Sequence, residues 1–443
     1  MTKKDRIQAA RLKGFRDYLP QLMAARLEIM DTIRREAALA GFQTIGTPAL
    51  EYATTLLGQG GDETDKQVYR FTDHGDRDVA LRFDLTVPFA RFVAEHQNEL
   101  SFPFKKLQIG DVWRGENTQK GRYREFCQCD LDIIGADSAA ADIEILATFQ
   151  RILASVPCGQ FTQAVGQRRL LSALIRKLLG GLGEEAETPA LIAIDKLAKI
   201  GPDNVHKLLA AIPGSDSGGA RALLELLVSK DAQGDTDMHM VAGELAGDES
   251  SERELKRLQV VLDAVRASTV GSNGQVRLDL SVARGLGYYT GIVFETTLAG
   301  APGIGSISSG GRYNDLAGRF TSRELPGVGG SIGLDRLLTA LEEMGQVTSS
   351  VAKPIFIAVA TDDALGYACE LVQSLRRANL AADIGMVPKL GNQFKHADRL
   401  GCPFVVTVGG SEAAARTYAI KDMQTGHEER DLPAAGLVAR LRS

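Results

Sequence analysis

The spacing of apolar residues predicts a mixture of helices and long strands in the first third of the chain. Apolar residues recur at helical spacing from Leu19 to Ala40, and Gly41 follows as a plausible helix cap. Two long strand-like stretches, Phe104 to Trp113 and Tyr123 to Ile134, are joined by the polar residues 114–122. Two strands with a loop and no helix between them form a hairpin, so the pattern predicts an antiparallel sheet and not a βαβ unit.

Shorter elements are predicted on both sides of this hairpin. The predicted strands are Phe42 to Ile45, Asp78 to Phe83, Val276 to Leu280 and Tyr289 to Thr297, and the predicted helices are Pro88 to His96 and Leu334 to Met344. Glycine-rich turns are predicted at Gly303 to Gly305 and at Gly310-Gly311.

Composition changes twice further along the chain. From about Gln167 to Ala267 the residues are mostly Leu, Ala, Lys, Glu and Asp at helical spacing, which predicts a helical insertion over 167–270 within a first domain of 1–345. Strands and helices then alternate over 350–443, which predicts a small α/β domain with parallel strands. Its predicted strands are Ile355 to Ala360, Ala382 to Val387 and Phe404 to Val408, with helices at Ala364 to Ala378 and Gln393 to Leu400. The predicted fold class is α+β.

Composition and charge narrow the class of protein. The 443 residues are 44 % hydrophobic and 24 % charged, which is ordinary for a globular protein of two to three domains. We expect a cytoplasmic protein, because five scattered cysteines give no disulfide framework and neither a signal core nor a membrane-length apolar run occurs. The net charge of −5 argues against general nucleic-acid binding. Two basic clusters either contact RNA or are solvated faces: Lys120, Arg122 and Arg124, and Arg376, Arg377, Lys389, Lys395 and Arg399.

The first stretch with chemical potential is Asp84-Leu85-Thr86, where a predicted strand ends just before a helix that contains Pro88. A carboxylate and a hydroxyl at this point suit two purposes. Thr86 could cap the helix, since hydroxyl oxygens accept hydrogen bonds from the first free backbone N–H groups. Alternatively, the two side chains could form a pocket for an ammonium group. Both interpretations are open at this point.

The second strand of the long hairpin carries polar side chains on one face. Phe126, Gln128, Asp130 and Asp132 lie on that face because side chains alternate along a strand. The face is either solvent-exposed or part of a cleft, since burying two acids without partners is costly. Arg114 at the end of the first strand suits a phosphate, because a guanidinium offers bidentate donors.

Cysteines on the opposite face of the same strand suggest packing and not metal binding. Cys127 and Cys129 have no second Cys or His pair at zinc-ligand spacing, so we expect core thiols and no metal site.

Two glycine-rich stretches carry arginines and tyrosines. Arg284 to Tyr289 is either a turn with two aromatic anchors or a donor-rich part of a site, and its GxG fragment is a weak nucleotide motif. Ser309 to Tyr313 and Gly327 to Leu337, with Arg336, suit either close approach to a phosphate or base, or tight packing of a strand on a helix. A Walker loop is absent from the sequence, and an antiparallel sheet argues against a Rossmann nucleotide site.

Together these stretches resemble the class II aminoacyl-tRNA synthetases, and among them the histidyl family. The residues that carry the resemblance are Thr47-Pro48 for the first class motif, Arg114 to Asp132 for the second, Gly330 to Arg336 for the third, Asp84-Leu85-Thr86 and Arg284 to Tyr289 for the two histidine boxes, and the opening Gly14-Phe15-Arg16-Asp17. The likeness covers nearly the whole chain. It implies a class II antiparallel sheet with flanking helices, followed by an anticodon-binding domain at 350–443.

The resemblance also implies an activity and its residues. The activity would join histidine to ATP as an adenylate and then transfer the histidyl group to tRNA(His), using ATP and Mg²⁺ in a homodimer. Arg284 and Arg114 would be catalytic. The implied histidine-binding residues are Asp84, Leu85, Thr86, Arg114, Gln128, Asp132, Arg284, Tyr288 and Tyr289. The implied ATP-binding residues are Arg114, Glu116, Phe126 and Arg336. Lys389, Lys395 and Arg399 are candidate contacts to the RNA backbone, and the helical insertion resembles the one that clasps the acceptor stem.

One position departs from the family pattern, and two alternatives compete with the enzyme. Gly287 stands where the family box usually has Asp, which could weaken the orientation of Arg284 or of a neighbouring tyrosine. The first alternative is a non-catalytic relative that binds histidine or RNA as a regulator. The second is a purely structural RNA-binding protein, which would not need an imidazole pocket. The three arginines Arg114, Arg284 and Arg336 and the tail domain favour the enzyme.

Overall fold

The computed structural model describes residues 7–57, 66–180, 184–283, 289–314, 317–347 and 353–442, without the side chains of 184–186. The chain divides into two compact units, Met1–Ser349 and Ser350–Ser443, and each is described by itself. In the described stretches, no helix is both long and apolar enough to span a membrane.

The first unit combines a large sheet with helices. Within its described residues, the strands are β1 Gln43–Thr44, β2 Leu50–Tyr52, β3 Arg70–Thr72, β4 Asp78–Leu81, β5 Phe104–Trp113, β6 Glu125–Ile134, β7 Phe161–Gln167, β8 Gly274–Leu278, β9 Tyr289–Leu298, β10 Ser306–Tyr313 and β11 Gly327–Gly333. The helices are α1 Pro20–Leu39, α2 Ala53–Leu56, α3 Thr86–Glu95, α4 Ala139–Ala154, α5 Arg168–Leu178, α6 Glu184–Ile194, α7 Leu197–Ile200, α8 Pro202–Ala210, α9 Ser217–Val228, α10 Met238–Glu244, α11 Glu249–Ser268 and α12 Leu334–Glu343.

Helix α1 follows directly from its apolar spacing. Its buried side chains include Ala25, Ile29, Ile33 and Ala37, each four residues after the last, so they form one stripe against the sheet. The chain leaves the helix at Gly41 with φ of +79°, a conformation that glycine adopts without the strain of a Cβ atom. The predicted helix and its glycine cap are confirmed.

The large sheet is mainly antiparallel, as predicted. Among the described strands its order is β1-β5-β6-β11-β10-β9-β7-β8. Strands β5 and β6 form the predicted long hairpin, and their register places Lys106 opposite Asp132 and Gln108 opposite Asp130. Only the outermost pairs of this order, β1 with β5 and β7 with β8, are parallel. A separate small sheet has the order β2-β4-β3.

Helices α5 to α11 occupy the stretch predicted as an insertion. They connect β7 to β8, which are parallel neighbours, and parallel strands require a long crossover connection. Gln167 begins this connection by accepting a hydrogen bond from the backbone N–H of Arg169 at 3.3 Å. Leucines of these helices, including Leu174, Leu223 and Leu258, are fully buried in the main core.

The turn predicted at Gly310-Gly311 is wrong, because both residues lie inside strand β10. Gly310 is opposite Gly330 on β11, and a Cβ atom at Gly310 would lie 2.2 Å from the Gly329 carbonyl oxygen. The glycines therefore allow close packing between strands, where composition alone suggests a turn. Arg312 on the same strand donates to Asp142 of α4 at 2.8 Å and is buried.

The second unit contains a mixed sheet. In its described part the strands are β12 Ile355–Val359, β13 Ala382–Ile384, β14 Phe404–Val408, β15 Thr417–Asp422 and β16 Glu428–Pro433, and the helices are α13 Leu365–Arg377, α14 Leu390–Leu400, α15 Gly410–Ala415 and α16 Leu437–Arg442. The sheet order is β13-β12-β14-β15-β16. The predicted parallel strands β12, β13 and β14 are present, but β15 and β16 add an antiparallel hairpin that the sequence analysis missed. Strand β16 is largely exposed, so it lacks the apolar alternation that identifies a strand.

Candidate active site

A cavity of about 320 Å³ lies on one face of the large sheet, over strands β6, β10 and β11. Its described lining residues are Asp84, Thr86, Arg114, Glu116, Gly121, Arg122, Tyr123, Phe126, Gln128, Asp130, Asp132, Tyr289, Ser306 to Ser309, Tyr313, Gly329 to Ser331, Gly333, Asp335 and Arg336. Phe126, Gln128, Asp130 and Asp132 all line it, because they alternate on one face of β6. The cleft interpretation of that face is confirmed, and Cys127 and Cys129 are buried on the opposite side in the core.

The floor of the cavity is held by a buried ion pair. The Nζ atom of Lys106 lies 2.8 Å from Oδ2 of Asp132, and Lys106 is completely buried. The other carboxylate oxygen of Asp132, Oδ1, accepts a hydrogen bond from the Tyr313 hydroxyl at 2.9 Å. Gly329 faces this carboxylate on β11, where a Cβ atom would lie 2.0 Å from Oδ1. Asp132 is therefore fixed in position by groups from three strands.

Asp130 is a second buried carboxyl group at the floor. It is 2 % exposed, and its Oδ1 has no hydrogen-bond partner among the described residues. Burial raises the pKa of Asp130 to about 7; the carboxylates of Asp132 and Asp84 raise it too, whereas Lys106 and the Ser331 hydroxyl oppose the rise. One lysine thus faces three carboxyl groups, so this end of the cavity attracts cations.

Replacing Asp130 with asparagine is expected to stabilise the fold at alkaline pH. The folded pKa is above the ordinary value for Asp of about 3.9, so stability from this group is present at low pH and is lost as pH rises through about 7. Asn cannot ionise, so Asp130→Asn should gain a few kcal/mol at pH 8 and almost nothing at pH 4. Urea unfolding between pH 4 and pH 8 measures the difference. Asp111→Asn, at an exposed position on β5, is the control, and a destabilised Asp130→Asn at pH 8 would contradict the burial argument.

Asp84, and not Thr86, accepts a hydrogen bond from the first turn of α3. Its Oδ1 accepts a hydrogen bond from the backbone N–H of Val87 at 3.1 Å, whereas Thr86 is the first residue of α3. Thr86 as the cap is therefore wrong, and Asp84 satisfies the helix end while it also lines the cavity. Burial raises the pKa of Asp84, although the Val87 N–H and the Arg114 guanidinium oppose the rise.

Arginines line the cavity as well, and Arg114 is close enough to Asp84 to influence its charge. Arg114 donates from Nε to the Phe83 carbonyl at 2.8 Å, and its guanidinium lies 5.1 Å from the centre of the Phe126 ring. Arg336 donates from Nη1 to the Ser306 carbonyl at 2.7 Å. Glu116 lies 3.6 Å from Arg122. Fixed guanidinium groups beside an aromatic ring suit a nucleotide, because phosphates pair with the former and a base packs on the latter.

The cavity brings together most of the residues that the sequence analysis selected. Those present are Asp84, Thr86, Arg114, Glu116, Phe126, Gln128, Asp132, Tyr289 and Arg336. The side chain of Leu85 is fully buried and is not one of the lining groups. Arg284, Gly287 and Tyr288 lie outside the described residues.

Sequence reasoning missed Lys106 as part of the site and did not give Tyr313 a role there. Lys106 follows Lys105 in strand β5, and alternation places one of the two lysines on the inner face of the sheet without saying which. Tyr313 is separated from Asp132 by 181 positions along the chain. No local signal connects residues so far apart.

Comparison with solved structures gives the class of protein first. The fold matches the crystal structure of histidyl-tRNA synthetase from Nostoc sp. PCC 7120 with a TM-score of 0.85 and 32 % sequence identity over 99 % of both chains. An antiparallel sheet of this topology, with the cavity on its face, is that of a class II aminoacyl-tRNA synthetase. The family model described as histidyl-tRNA synthetase matches residues 14–337, and the anticodon binding domain model matches residues 354–443. The chain belongs to the histidyl-tRNA synthetase family.

Curated relatives match this chain along almost its whole length. The chain is 43 % identical to the histidine–tRNA ligase of Rhodopirellula baltica, over 95 % of this chain and 94 % of the relative. It is 38 % identical to the histidine–tRNA ligase of Wolinella succinogenes, over 94 % of each. The similarity therefore includes the tail unit as well as the unit that holds the cavity.

Proposed function

We propose that this protein is a histidine–tRNA ligase that activates histidine with ATP and transfers the histidyl group to the 3′ end of tRNA(His). The observation that carries the proposal is a single cavity that combines an acidic floor with fixed arginines. Such a cavity accommodates a cationic amino acid beside a nucleotide. The relatives named histidine–tRNA ligase support this choice of amino acid.

Histidine is proposed to occupy the acidic end. Its α-ammonium group would lie near Asp84, Thr86 and Gln128, whose Oε1 has no hydrogen-bond partner among the described residues. Its imidazole would lie between Asp132 and Tyr289, with one polar partner for each ring nitrogen. A site built to pair both nitrogens discriminates against analogues that lack one, because the site's own polar groups are then left unpaired.

ATP is proposed to occupy the arginine end. Phe126 and Glu116 would contact the adenine, Arg336 the γ-phosphate, and Arg114 the α-phosphate together with the histidine carboxylate. Mg²⁺ would arrive as part of the ATP–Mg²⁺ substrate, held mainly by phosphate oxygens and water. In the described part of the chain, no group of three or more His, Cys, Asp or Glu side chains is arranged to hold a metal ion.

The proposed chemistry needs no general base for activation. The histidine carboxylate is already a nucleophile, and it attacks the α-phosphorus of ATP as the bond to pyrophosphate breaks. The site must align these groups and neutralise the charge that develops on the phosphate oxygens. Arg114 and Arg284 are proposed to share this role. A ribose hydroxyl at the 3′ end of the RNA then attacks the histidyl carbonyl carbon, and AMP leaves.

The tail unit is proposed to bind the anticodon of tRNA(His). Lys389 precedes α14, and Lys395 and Arg399 lie one turn apart on it. All three are exposed, so they are accessible to an RNA backbone. The helical insertion, α5 to α11, is proposed to contact the acceptor stem. The full division into a catalytic domain of 1–345, an insertion of 167–270 and an anticodon domain of 350–443 remains a proposal.

A homodimer in the cytoplasm is the proposed state. Exposed apolar side chains of Tyr52 and Phe71 lie on the small sheet, where both align with Val79 of β4. Side chains aligned across neighbouring strands share one face, so the pair forms an apolar patch suited to burial against a second copy. The patch follows Thr47-Pro48, the stretch that resembles the dimer-forming class motif.

A regulatory protein that only binds histidine or RNA is not favoured. The anticodon-type unit is present over residues 354–443, and Arg114 and Arg336 both line the cavity. A protein that only sensed histidine would not need two arginines at the phosphate end. The relatives that match over most of the chain are named as ligases.

Exchange of pyrophosphate into ATP tests the proposal directly. Each of the twenty amino acids is supplied separately to the purified protein, and exchange is expected with histidine alone. Charging of tRNA(His) by the same preparation then tests the second step. Histidine binding without exchange would support the regulatory alternative, and exchange with a different amino acid would refute the proposed substrate.

A further inference from the structure

The opening stretch Lys13–Tyr18, termed the strap, lies against the two elements that form the nucleotide end of the cavity. One element is the segment 114–124 between β5 and β6. The other is helix α12, which carries Arg336. The strap lines no part of the cavity, yet it contacts residues of both elements that do. The strap can therefore affect a substrate in the cavity only through these two elements.

Backbone hydrogen bonds connect the strap to Arg114 in two steps. The backbone N–H of Arg124 donates to the Gly14 carbonyl at 2.7 Å, and the backbone N–H of Arg114 donates to the Arg124 carbonyl at 2.8 Å. Gly14 has φ of +90°, and a Cβ atom there would lie 2.8 Å from side-chain atoms of Arg124 and Thr118. Gly14 thus permits both the backbone conformation and the close contact. The strap thus adds one backbone hydrogen bond, through Gly14, to the pairing between Arg114 and Arg124.

Arg16 joins this segment to helix α12. Its Nη2 atom lies 2.8 and 2.9 Å from the two carboxylate oxygens of Glu342, and its Nη1 donates to the Tyr123 hydroxyl at 3.2 Å. The Arg16 side chain is 17 % exposed, so water competes with these contacts only in part. Tyr123 lines the cavity, whereas Glu342 lies in the last turn of α12.

Tyr18 reaches the start of the same helix. Its hydroxyl donates to Oδ1 of Asp335, and Oδ2 of Asp335 accepts from the backbone N–H of Cys127 at 2.6 Å. Burial and the Asp335 carboxylate both raise the pKa of Tyr18, so the hydroxyl keeps its proton and remains a donor. Asp335 precedes Arg336, so this contact fixes the first turn of α12 against strand β6.

We propose that the strap is a positioning device for ATP, in which Arg16 holds segment 114–124 and helix α12 in the spacing that the phosphates require. This inference rests on the proposed function, because it assigns the arginine end to ATP. Small displacements of positioning groups have large effects on rate, since a misplacement of about 1 Å can cost about a hundredfold. Arg114 is also proposed to contact the histidine carboxylate, so the KM for histidine should change as well, but by a smaller factor than the KM for ATP.

The kinetic test compares Arg16→Met with the parent in pyrophosphate exchange. The KM for ATP is expected to rise about tenfold or more, with kcat reduced and the KM for histidine changed by a clearly smaller factor. Arg16→Lys keeps the charge beside Glu342 but offers no planar fork to Tyr123, so it should give an intermediate KM for ATP. Asp17→Asn is the matched control, because Asp17 pairs with Arg11 at the surface, with side chains 78 % and 59 % exposed. Equal changes in both KM values for Arg16→Met would overturn the proposal.

Hydrogen exchange provides a readout that does not require activity. The amides of Arg114 and Arg124 are expected to exchange faster in Arg16→Met than in the parent, whereas amides in β9 and β10 should be unchanged. Unchanged protection of the amides in segment 114–124 would overturn the proposal that the strap positions this segment. Failure of the parent to exchange pyrophosphate with histidine would instead refute the proposed function, so the two failures are distinguishable.

Discussion

Replacing Arg114 with alanine is expected to lower the rate of histidyl-adenylate formation by about a hundredfold to a thousandfold while the protein stays folded. The guanidinium is anchored through Nε to the Phe83 carbonyl and stacked near Phe126. This hydrogen bond uses Nε, and although the guanidinium also influences Asp84, no carboxylate among the described residues forms an ion pair with it, so Nη1 and Nη2 can face the reacting phosphate. The folded protein loses one hydrogen bond in this variant, which lowers the free energy of unfolding by about 1 kcal/mol.

Two further variants make the Arg114 prediction specific. Arg114→Lys keeps the positive charge but loses the planar donors and the Nε anchor, so it should recover only part of the rate. Arg70→Ala is the control, since Arg70 is exposed and pairs with Asp78 on the small sheet at 2.6 Å. Single-turnover formation of the adenylate, with saturating histidine and ATP, measures the chemical step. A near-normal rate in Arg114→Ala would remove this residue from the catalytic assignment.

Lys106→Met is expected to destabilise the protein by about 3–5 kcal/mol at pH 8 and to abolish tight histidine binding. Lys106 is completely buried and is paired with Asp132 at 2.8 Å, so its removal leaves a buried carboxylate without its cation. It also opposes the rise in the pKa of Asp130, which would therefore rise further in the variant. Carboxyl groups with raised folded pKa values lose stability as pH rises, so the deficit should grow from pH 5 to pH 8.

The neighbouring lysine supplies a matched control for this prediction. Lys105 is one-third exposed and pairs with Glu144 at 2.7 Å on the other side of the sheet, so Lys105→Met should cost about 1 kcal/mol or less. The double variant Lys106→Met with Asp132→Asn should recover much of the stability, because no unpaired charge remains, but it should not recover histidine binding. Urea unfolding and calorimetric titration with histidine measure the two properties. Equal stability losses in the two lysine variants would contradict a buried ion pair at the cavity floor.

Much of the local structure follows from patterns in the sequence. Alternation along residues 125–134 places Gln128, Asp130 and Asp132 on one face and the two cysteines on the other, and the structure confirms this division. The four-residue spacing of buried positions in α1, ended by Gly41, determines that helix and its cap. The combination of Arg114, Gln128, Asp132 and Arg336 with the histidine boxes also indicates the family from sequence alone.

Contacts between distant parts of the chain depended on the tertiary structure. Lys105 and Lys106 are identical in type and adjacent, and only the packed sheet shows that Lys106 is the one that pairs with Asp132. Gly310 and Gly311 have the composition of a turn, but their partners on β9 and β11 make them a strand. The sequence offers both Asp84 and Thr86 as oxygen acceptors near the start of α3. Backbone geometry decides that the Asp84 oxygen is the one that reaches the Val87 N–H.

The sequence by itself thus determined the family, the hairpin and the polar face, and most of the residues that it selected line the cavity, because these features depend on local periodicity and on motif spacing. The tertiary structure alone decided which charges are buried together at the cavity floor and how the opening strap meets segment 114–124 and helix α12. The physical reason is that burial, pairing and the resulting pKa shifts depend on groups separated by up to hundreds of positions, such as Arg16 and Glu342, which are 326 residues apart.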